Sequence, residues 1–435
     1  MENKNIQTAN ERKRKIIFRV VIALALVFSF VCGYFFNTLI QGKDRKNLNS
    51  VLDLIEDKGI FITKNPDGTK LSNDQLLDLI VKTILAEDDY AVYYSKEEYQ
   101  EKKQQNQGNY SGYGLGFVAS NKIYSVVGNS PAENAGLRVN DVIEKISVDG
   151  GEEVLITDFS SLSNFLDTHA NSNTLKFTVN RNGEYKQFTL TKTEYVASYV
   201  KYFDDSLSVN VVSDGKNTST VNYELGESYN LPSDTALIKL DEFMGDADVQ
   251  FGGAMKLMKE NGKTKLILDL RGNGGGRLDV LCKIAGYLVF NGGNQVNPIV
   301  YSKAKNSQDS FYTTFNKYNV ELKKTVVLAD KNTASASECL IGAMLYYGKK
   351  EIDDNFSTNE LVISKDSLNN ATTYGKGIMQ TTYELYSGEA VKFTTAKIYQ
   401  PDGSTCIQGV GISTTEINQV EDINAISRAI EITLG

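Results

Sequence analysis

Histidine is almost absent from this chain of 435 residues: there is one, His169, in the polar stretch Asp167-Thr-His-Ala-Asn171. A hydroxyl nucleophile needs a base to take its proton. With histidine this scarce, the remaining natural base is a lysine with a lowered pKa. Metal chemistry lacks material too, because one histidine and scattered cysteines supply no ligand spacing. The four cysteines, Cys32, Cys282, Cys339 and Cys406, make no disulfide framework. Cys32 lies in an apolar segment, which leaves an odd three, and Cys339 reads as a small buried hydrophobe. Positive charge is also short. The formal net charge is −8, and no domain-wide basic excess exists to neutralise phosphates, which argues against nucleic acid. There is no G-x-x-x-x-G-K loop, no internal repeat and no low-complexity block, and no cofactor is implied.

What is present is globular, 41% hydrophobic and 23% charged, at a length that suits two or three domains. Residues 20–40 run 21 positions without a charge, enough to span ~30 Å of hydrocarbon. Arg12, Lys13, Arg14, Lys15 and Arg19 precede them, so the positive-inside rule puts the N-terminus in the cytoplasm and the rest outside. Phe35-Phe-Asn-Thr-Leu-Ile40 offers no small-x-small cleavage site, and Val31 before Cys32 does not suit a lipoprotein. The expectation is a basic tail over 1–15 and an uncleaved transmembrane anchor over 16–40, with a cleaved signal peptide as the rival. Residues 41–108 form a helical segment, with Leu48, Val51, Leu52, Ile55 and then Leu76, Leu77, Ile80, Ile84 at helical spacing. Glu87-Asp-Asp-Tyr90 and Tyr93-Tyr94 follow. The polar tract Glu101-Lys-Lys-Gln-Gln-Asn-Gln-Gly108 reads as a linker.

Residues 109–196 make the next unit. Gly114-Leu-Gly-Phe117 is a glycine-flanked turn into an apolar strand, alone no more than a hairpin. Ser130-Pro-Ala-Glu-Asn-Ala-Gly-Leu137 predicts a short helix with proline near N1, and Val139-Asn-Asp-Val-Ile-Glu-Lys-Ile146 a strand. Leu175-Lys-Phe-Thr-Val179 and Phe188-Thr-Leu190 alternate as strands around Asn182-Gly183, a hairpin signal. The stretch 197–232 is polar and strand-like, with nothing chemical in it. From residue 235 on, strands at 236–240, 266–270 and 325–329 alternate with helices near 247–261, 277–290 and 336–347. Late strands follow near 392–395. That alternation predicts an α/β core with a largely parallel sheet over 197–435.

Three short segments of this core carry chemistry. Leu266-Ile-Leu-Asp-Leu270 runs into Arg271-Gly-Asn-Gly-Gly-Gly276 and then a helix. As a dinucleotide turn it fails: Arg277 stands where the third glycine belongs, and Asn291-Gly-Gly-Asn294 where an acid belongs. Its unobstructed amides suit an oxyanion. In Thr333-Ala-Ser-Ala-Ser-Glu338, Ser335 follows a strand and opens a helix. Small neighbours leave its hydroxyl accessible, and the Ala336 amide is placed for the developing oxyanion. The same Ser-x-x-Glu is also a capping box. Tyr374-Gly-Lys-Gly377 holds Lys376 between glycines, with Gln380 four residues on; burial would lower its pKa. Ser302-Lys-Ala-Lys305 has Ser-x-x-Lys spacing but no S-D-N or K-T-G companion, and is set aside.

Together these segments resemble the carboxy-terminal processing (tail-specific) proteases, PDZ-containing Ser/Lys-dyad peptidases. Residues 269–276 resemble the family's "DLRxNxGG", in which a loop glycine amide serves the oxyanion, here Gly275 or Gly276. Residues 333–338 resemble "SASASE", whose middle serine is the nucleophile, here Ser335, or Ser337 if the alignment slips. Residues 374–380 resemble "FGKGxxQ", which implies Lys376 as base and Gln380 as the residue orienting it. Residues 130–146 match the "SPAxxAGL…GDxI" stretch of PDZ domains, whose glycine turn would offer the amides of Leu115, Gly116 and Phe117 to a peptide's terminal carboxylate. Residues 87–94 resemble the acidic-tyrosine motif of the family's helical lead-in, and 393–403 with 408–412 its closing motif, without the usual proline and aspartate. The gap from Ser335 to Lys376 is longer than in the family; the extra residues are assigned to 355–370 as a surface loop.

The resemblance implies a ClpP/crotonase-like α/β peptidase core, a PDZ domain, a helical N-terminal segment and one transmembrane helix. It implies a membrane-anchored serine endopeptidase, catalytic domain outside the cytoplasm, acting on proteins or peptides with free apolar C-termini through an acyl-enzyme. A homo-oligomer stays open. The alternative is a catalytically silent PDZ scaffold that binds protein C-termini. Such a scaffold would be expected to have lost at least one of Ser335, Lys376, Gln380 or the glycine loop, and all stand.

Overall fold

The computed structural model describes residues 69, 71–149, 151–223, 228–289, 298–313, 320–348 and 358–435. The expected anchor at 16–40 and the helical pattern of Leu48 to Ile55 lie outside these residues. Among the described residues no helix is long and apolar enough to cross a membrane.

The core is built on an eight-stranded sheet. Its order is Thr218–Asn222, Ser208–Ser213, Val200–Phe203, Thr235–Leu240, Lys265–Asp269, Lys324–Ala329, Thr358–Ser364 and Gln419–Val420. The first three strands are antiparallel and the run from Thr235–Leu240 onward is parallel. Strand alternation feeds two cores. Ala236, Ile238, Leu240, Leu266 and Leu268 pack with the helices Ala247–Glu260, Leu278–Leu288 and Ala336–Gly348. Leu237, Ile267, Val326, Leu328 and Val362 pack on the other face with the helix Ala425–Leu434. Both faces being covered explains why the parallel strands read as unbroken apolar runs. A second sheet centres on Ala390–Tyr399, which pairs with Val92–Tyr94, Pro298–Ala304 and Ile378–Glu384.

Residues 109–196 have their own core around Ile143, Ile146, Leu162, Leu175 and Phe177. Ser130 caps the helix Pro131–Asn134 through the Glu133 amide. Asn182 and Gly183, at φ +54° and +91°, make the turn between Thr174–Arg181 and Glu184–Thr191, the paired positive φ of a type I′ hairpin.

Two expectations are corrected. The tract read as a linker belongs largely to the helix Lys96–Asn106, which begins with a full capping box from Ser95 and Glu98. Lysine, glutamate and glutamine are strong helix formers, and polarity alone concealed them. The segment 355–370 is not a surface loop over its length. Thr358–Ser364 is an interior strand of the parallel sheet, with Leu361, Val362 and Ile363 buried. Its three apolar residues are hidden between polar flanks. The stretch 197–232 supplies strands, as its pattern predicts, and one of them carries the buried Lys201.

Candidate active site

Ser335 stands between the strand Lys324–Ala329 and the helix Ala336–Gly348, at φ +57°. A non-glycine residue in that region is strained, and such strain persists only where surrounding structure fixes it. Here the fastenings are visible. Thr333 donates its hydroxyl to Leu270 O (2.9 Å), and Asp330 accepts from the amides of Asn332 and Thr333. Ala334 N and Ser337 Oγ both donate to Asn273 O, at 2.9 and 3.0 Å. Ser337 is fully buried and its hydroxyl is committed to that bond, whereas Ser335 is partly exposed.

The glycine loop lies directly against this turn. A Cβ on Gly275 would sit 2.7 Å from Ser335 Cβ and 2.8 Å from Ala336 N, so only glycine fits. Asn273 organises the loop: its side chain donates to Leu240 O (2.9 Å) and accepts from the Gly275 amide (2.9 Å). The Gly275 N–H is therefore occupied. Gly276 follows at φ +139° on an exposed stretch, bridged to Phe243. The Ala336 amide is at the first turn of its helix, facing Gly275, where the helix dipole favours negative charge.

Lys376 comes from a separate loop. Its tie to the nucleophile is Glu338, fully buried. One carboxylate oxygen accepts from Ser335 N and Lys376 N, both at 2.9 Å. The other accepts from Gly375 N at 2.7 Å and Thr373 Oγ1 at 2.5 Å. Charge-assisted bonds of this kind are among the strong ones. Sequence reading assigned Glu338 only to a cap. Its reach back to the Ser335 amide has the capping-box pattern, but nothing local signals that it also holds residues 373–376.

The side chain of Lys376 is half-buried. Burial and the like charge of Lys392 push its ammonium below the usual lysine pKa, partly offset by Asp88. Nζ lies 4.2 Å from the centroid of the Tyr90 ring. Among the described residues no hydrogen bond joins it to Ser335 Oγ. Gln380 Nε2 donates to Thr394 Oγ1 at 3.1 Å, not to the lysine. Tyr90 and Asp88 come from the acidic-tyrosine stretch, read from sequence only as part of a helical lead-in. Burial, with Tyr374 beside it, pushes the Tyr90 phenol up to about 12.

In the 109–196 unit, Leu115–Phe117 pairs with Ile123–Val126. Val127 N donates to Gly114 O at 2.9 Å; by the alternation of an antiparallel ladder, the Leu115 amide points off it and the Gly116 amide into it. Phe117 follows a register shift. Gly114, at φ +82°, packs so closely on buried Ser130 that a Cβ would lie 2.2 Å from its side chain.

Comparison with known proteins agrees with this architecture. The pattern of peptidase family S41 matches residues 234–352 and 369–417, and that of the PDZ domain residues 101–191. The "Probable CtpA-like serine protease" of Staphylococcus aureus (strain COL) is 26% identical over 426 residues, 95% of this chain and 74% of that protein. Its counterpart in Staphylococcus epidermidis is 25% identical over 403 residues, 90% and 71% of the two chains. Among solved structures, the photosystem II D1 C-terminal processing protease aligns over 82% of this chain and 86% of its own, at 21% identity and TM-score 0.47. The chain is thus a serine-type peptidase with a PDZ domain. Over its core it is similar to peptidase family S41, and over nearly its whole length to CtpA-like serine proteases.

Proposed function

We propose that the protein is an endopeptidase that hydrolyses peptide bonds with Ser335 as nucleophile and Lys376 as general base. The observation that carries this is Glu338, one buried carboxylate holding the backbone of both residues. The lowered pKa of Lys376 supports a neutral amine able to take the Ser335 proton. As Oγ attacks the scissile carbonyl, the oxyanion would meet the Ala336 and Gly276 amides, since that of Gly275 is engaged by Asn273. Lys376 would then return the proton to the leaving amine, and water would release the acyl group by the same route. Gln380 donates to Thr394, whose hydroxyl donates to Asp88, so it would act on the lysine through these two residues. Ser335→Ala and Lys376→Ala should each abolish cleavage of an unfolded protein without changing the thermal melt. The double variant should be no worse than either, because residues acting as a unit are not additive. Cleavage by Lys376→Ala would sink the dyad.

The PDZ domain, on this reading, selects substrates by a free apolar C-terminus, with the Leu115 amide and those of the adjoining turn receiving the carboxylate. Amidating the tail should weaken peptide binding to the Ser335→Ala protein by about 1–3 kcal/mol, the cost of unmaking a charge-assisted bond. Equal binding of acid and amide, by calorimetry, would reduce Gly114-Leu-Gly116 to a turn. The uncharged run at 20–40 behind its basic flank supports a single-pass anchor with the peptidase outside the cytoplasm. The parallel core covered on both faces is compatible with the ClpP/crotonase-like class.

A further inference from the structure

Lys376 Nζ rests on the Tyr90 ring, and no carboxylate lies within ion-pair distance of it among the described residues. The segment carrying Tyr90 is pinned on both sides. Before it, Asp88 accepts from Thr394 N at 2.7 Å and from Thr394 Oγ1 at 3.0 Å. After it, Val92–Tyr94 pairs with residues 390–392 of the strand that also pairs with Ile378–Glu384, just beyond the lysine. The ring is therefore held in place by two fastenings to one strand.

We propose that Tyr90 is a positioning residue for Lys376: its ring face seats the ammonium formed when the lysine takes the Ser335 proton. This rests on the reading of Lys376 as base. In acylation the proton passes from Oγ to Nζ as the Oγ–carbon bond forms; it passes on to the leaving nitrogen as the carbon–nitrogen bond breaks. Between these events the amine is charged and half-buried, and it needs a partner. A carboxylate would hold it charged throughout and spoil the base. An aromatic face attracts the cation more weakly and lets the proton go. The other groups facing Lys376 are Asp88, which favours the charge, and Lys392, which opposes it. Tyr374 lies beside Tyr90, and the Glu338 carboxylate is spent on backbone amides and the Thr373 hydroxyl.

The test is direct titration of Lys376 by NMR in the full chain carrying 13C/15N-lysine and Ser335→Ala, with the signal assigned through Lys376→Arg. Tyr90→Leu should lower the Lys376 pKa by about half a unit to one unit, as expected for losing a cation–π contact. Tyr90→Phe, which keeps the ring, should leave it in place, and Tyr90→Glu should raise it. The Lys201 signal, unchanged throughout, reports the fold. In the active enzyme the acid limb of kcat/KM should move in the same directions. No change in Tyr90→Leu, or an equal fall in Tyr90→Phe, would overturn the proposal. Cleavage retained by Lys376→Ala would instead remove the base reading, while the titration would still decide whether Tyr90 seats the ammonium.

Discussion

Two lysines, Lys201 fully buried and Lys376 half-buried, are both opposed by desolvation, with opposite results. Lys201 is 5% exposed and lies 2.6 Å from Asp241 and 3.2 Å from Glu133. Burial opposes its charge, but the two carboxylates outweigh it and push its pKa above the usual value. Glu133 belongs to the capped helix of the PDZ domain, and Lys201 to an interior strand of the core, so this permanent cation ties one domain to the other. Lys376 has an aromatic ring instead of an acid, with a second lysine nearby, and its pKa falls. The more deeply buried lysine has the higher pKa, so partners decide the outcome and depth does not. A carboxylate makes a buried lysine a strut, and its absence leaves one that can exchange a proton.

The comparison breaks most readily through stability. Lys201→Met takes the cation from buried Glu133 and leaves Asp241 with Lys239 alone, at 3.3 Å, and should cost about 3 kcal/mol, read from the urea midpoint. Lys376→Met should change it by no more than about 1 kcal/mol, because it removes a charge that burial already disfavours. Equal losses would show that the two sites do not differ as described. Next in size, Glu338→Gln replaces one of two accepting oxygens with a donor, and at least one of the four bonds to Ser335, Thr373, Gly375 and Lys376 must go. Misplacement on this scale should lower kcat/KM about 10–100-fold, measured on a peptide substrate. The smallest effect is on the pH profile. A depressed lysine pKa means the neutral base appears at lower pH, so kcat/KM should rise through an apparent pKa below ~10.4. His169→Ala should leave that profile unmoved, since its ring only stacks on Phe165 and bonds Phe165 O at 2.9 Å.

Much of the scaffold was legible because its signals are local. Asn182-Gly183 announced a hairpin, Pro131 the start of a short helix, and the alternation after 235 a parallel sheet. What failed had its cause elsewhere in the chain. The strand Thr358–Ser364 is fixed by its neighbours Lys324–Ala329 and Gln419–Val420, and its polar ends masked it. The 101–108 tract looked like a linker because a helix with no apolar stripe carries no periodic signal. The nucleophile and lysine segments could be named from motifs, but not what joins them. Glu338, Tyr90 and Asp88 reach the lysine across long stretches of sequence, and only the fold brings them together. Lys201 was invisible for the same reason, since its two acids lie in other elements.

The double grip of Glu338 also bears on how the site opens. Ser335 and the 373–376 loop come from separate segments, yet the amides of Ser335, Gly375 and Lys376 end on one carboxylate. A local fluctuation that frees one loses part of the anchorage of the others. These three amides should therefore behave as one cooperative unit in native-state hydrogen exchange, protected and released together, with the nucleophile's turn only as long-lived as the loop that carries its base.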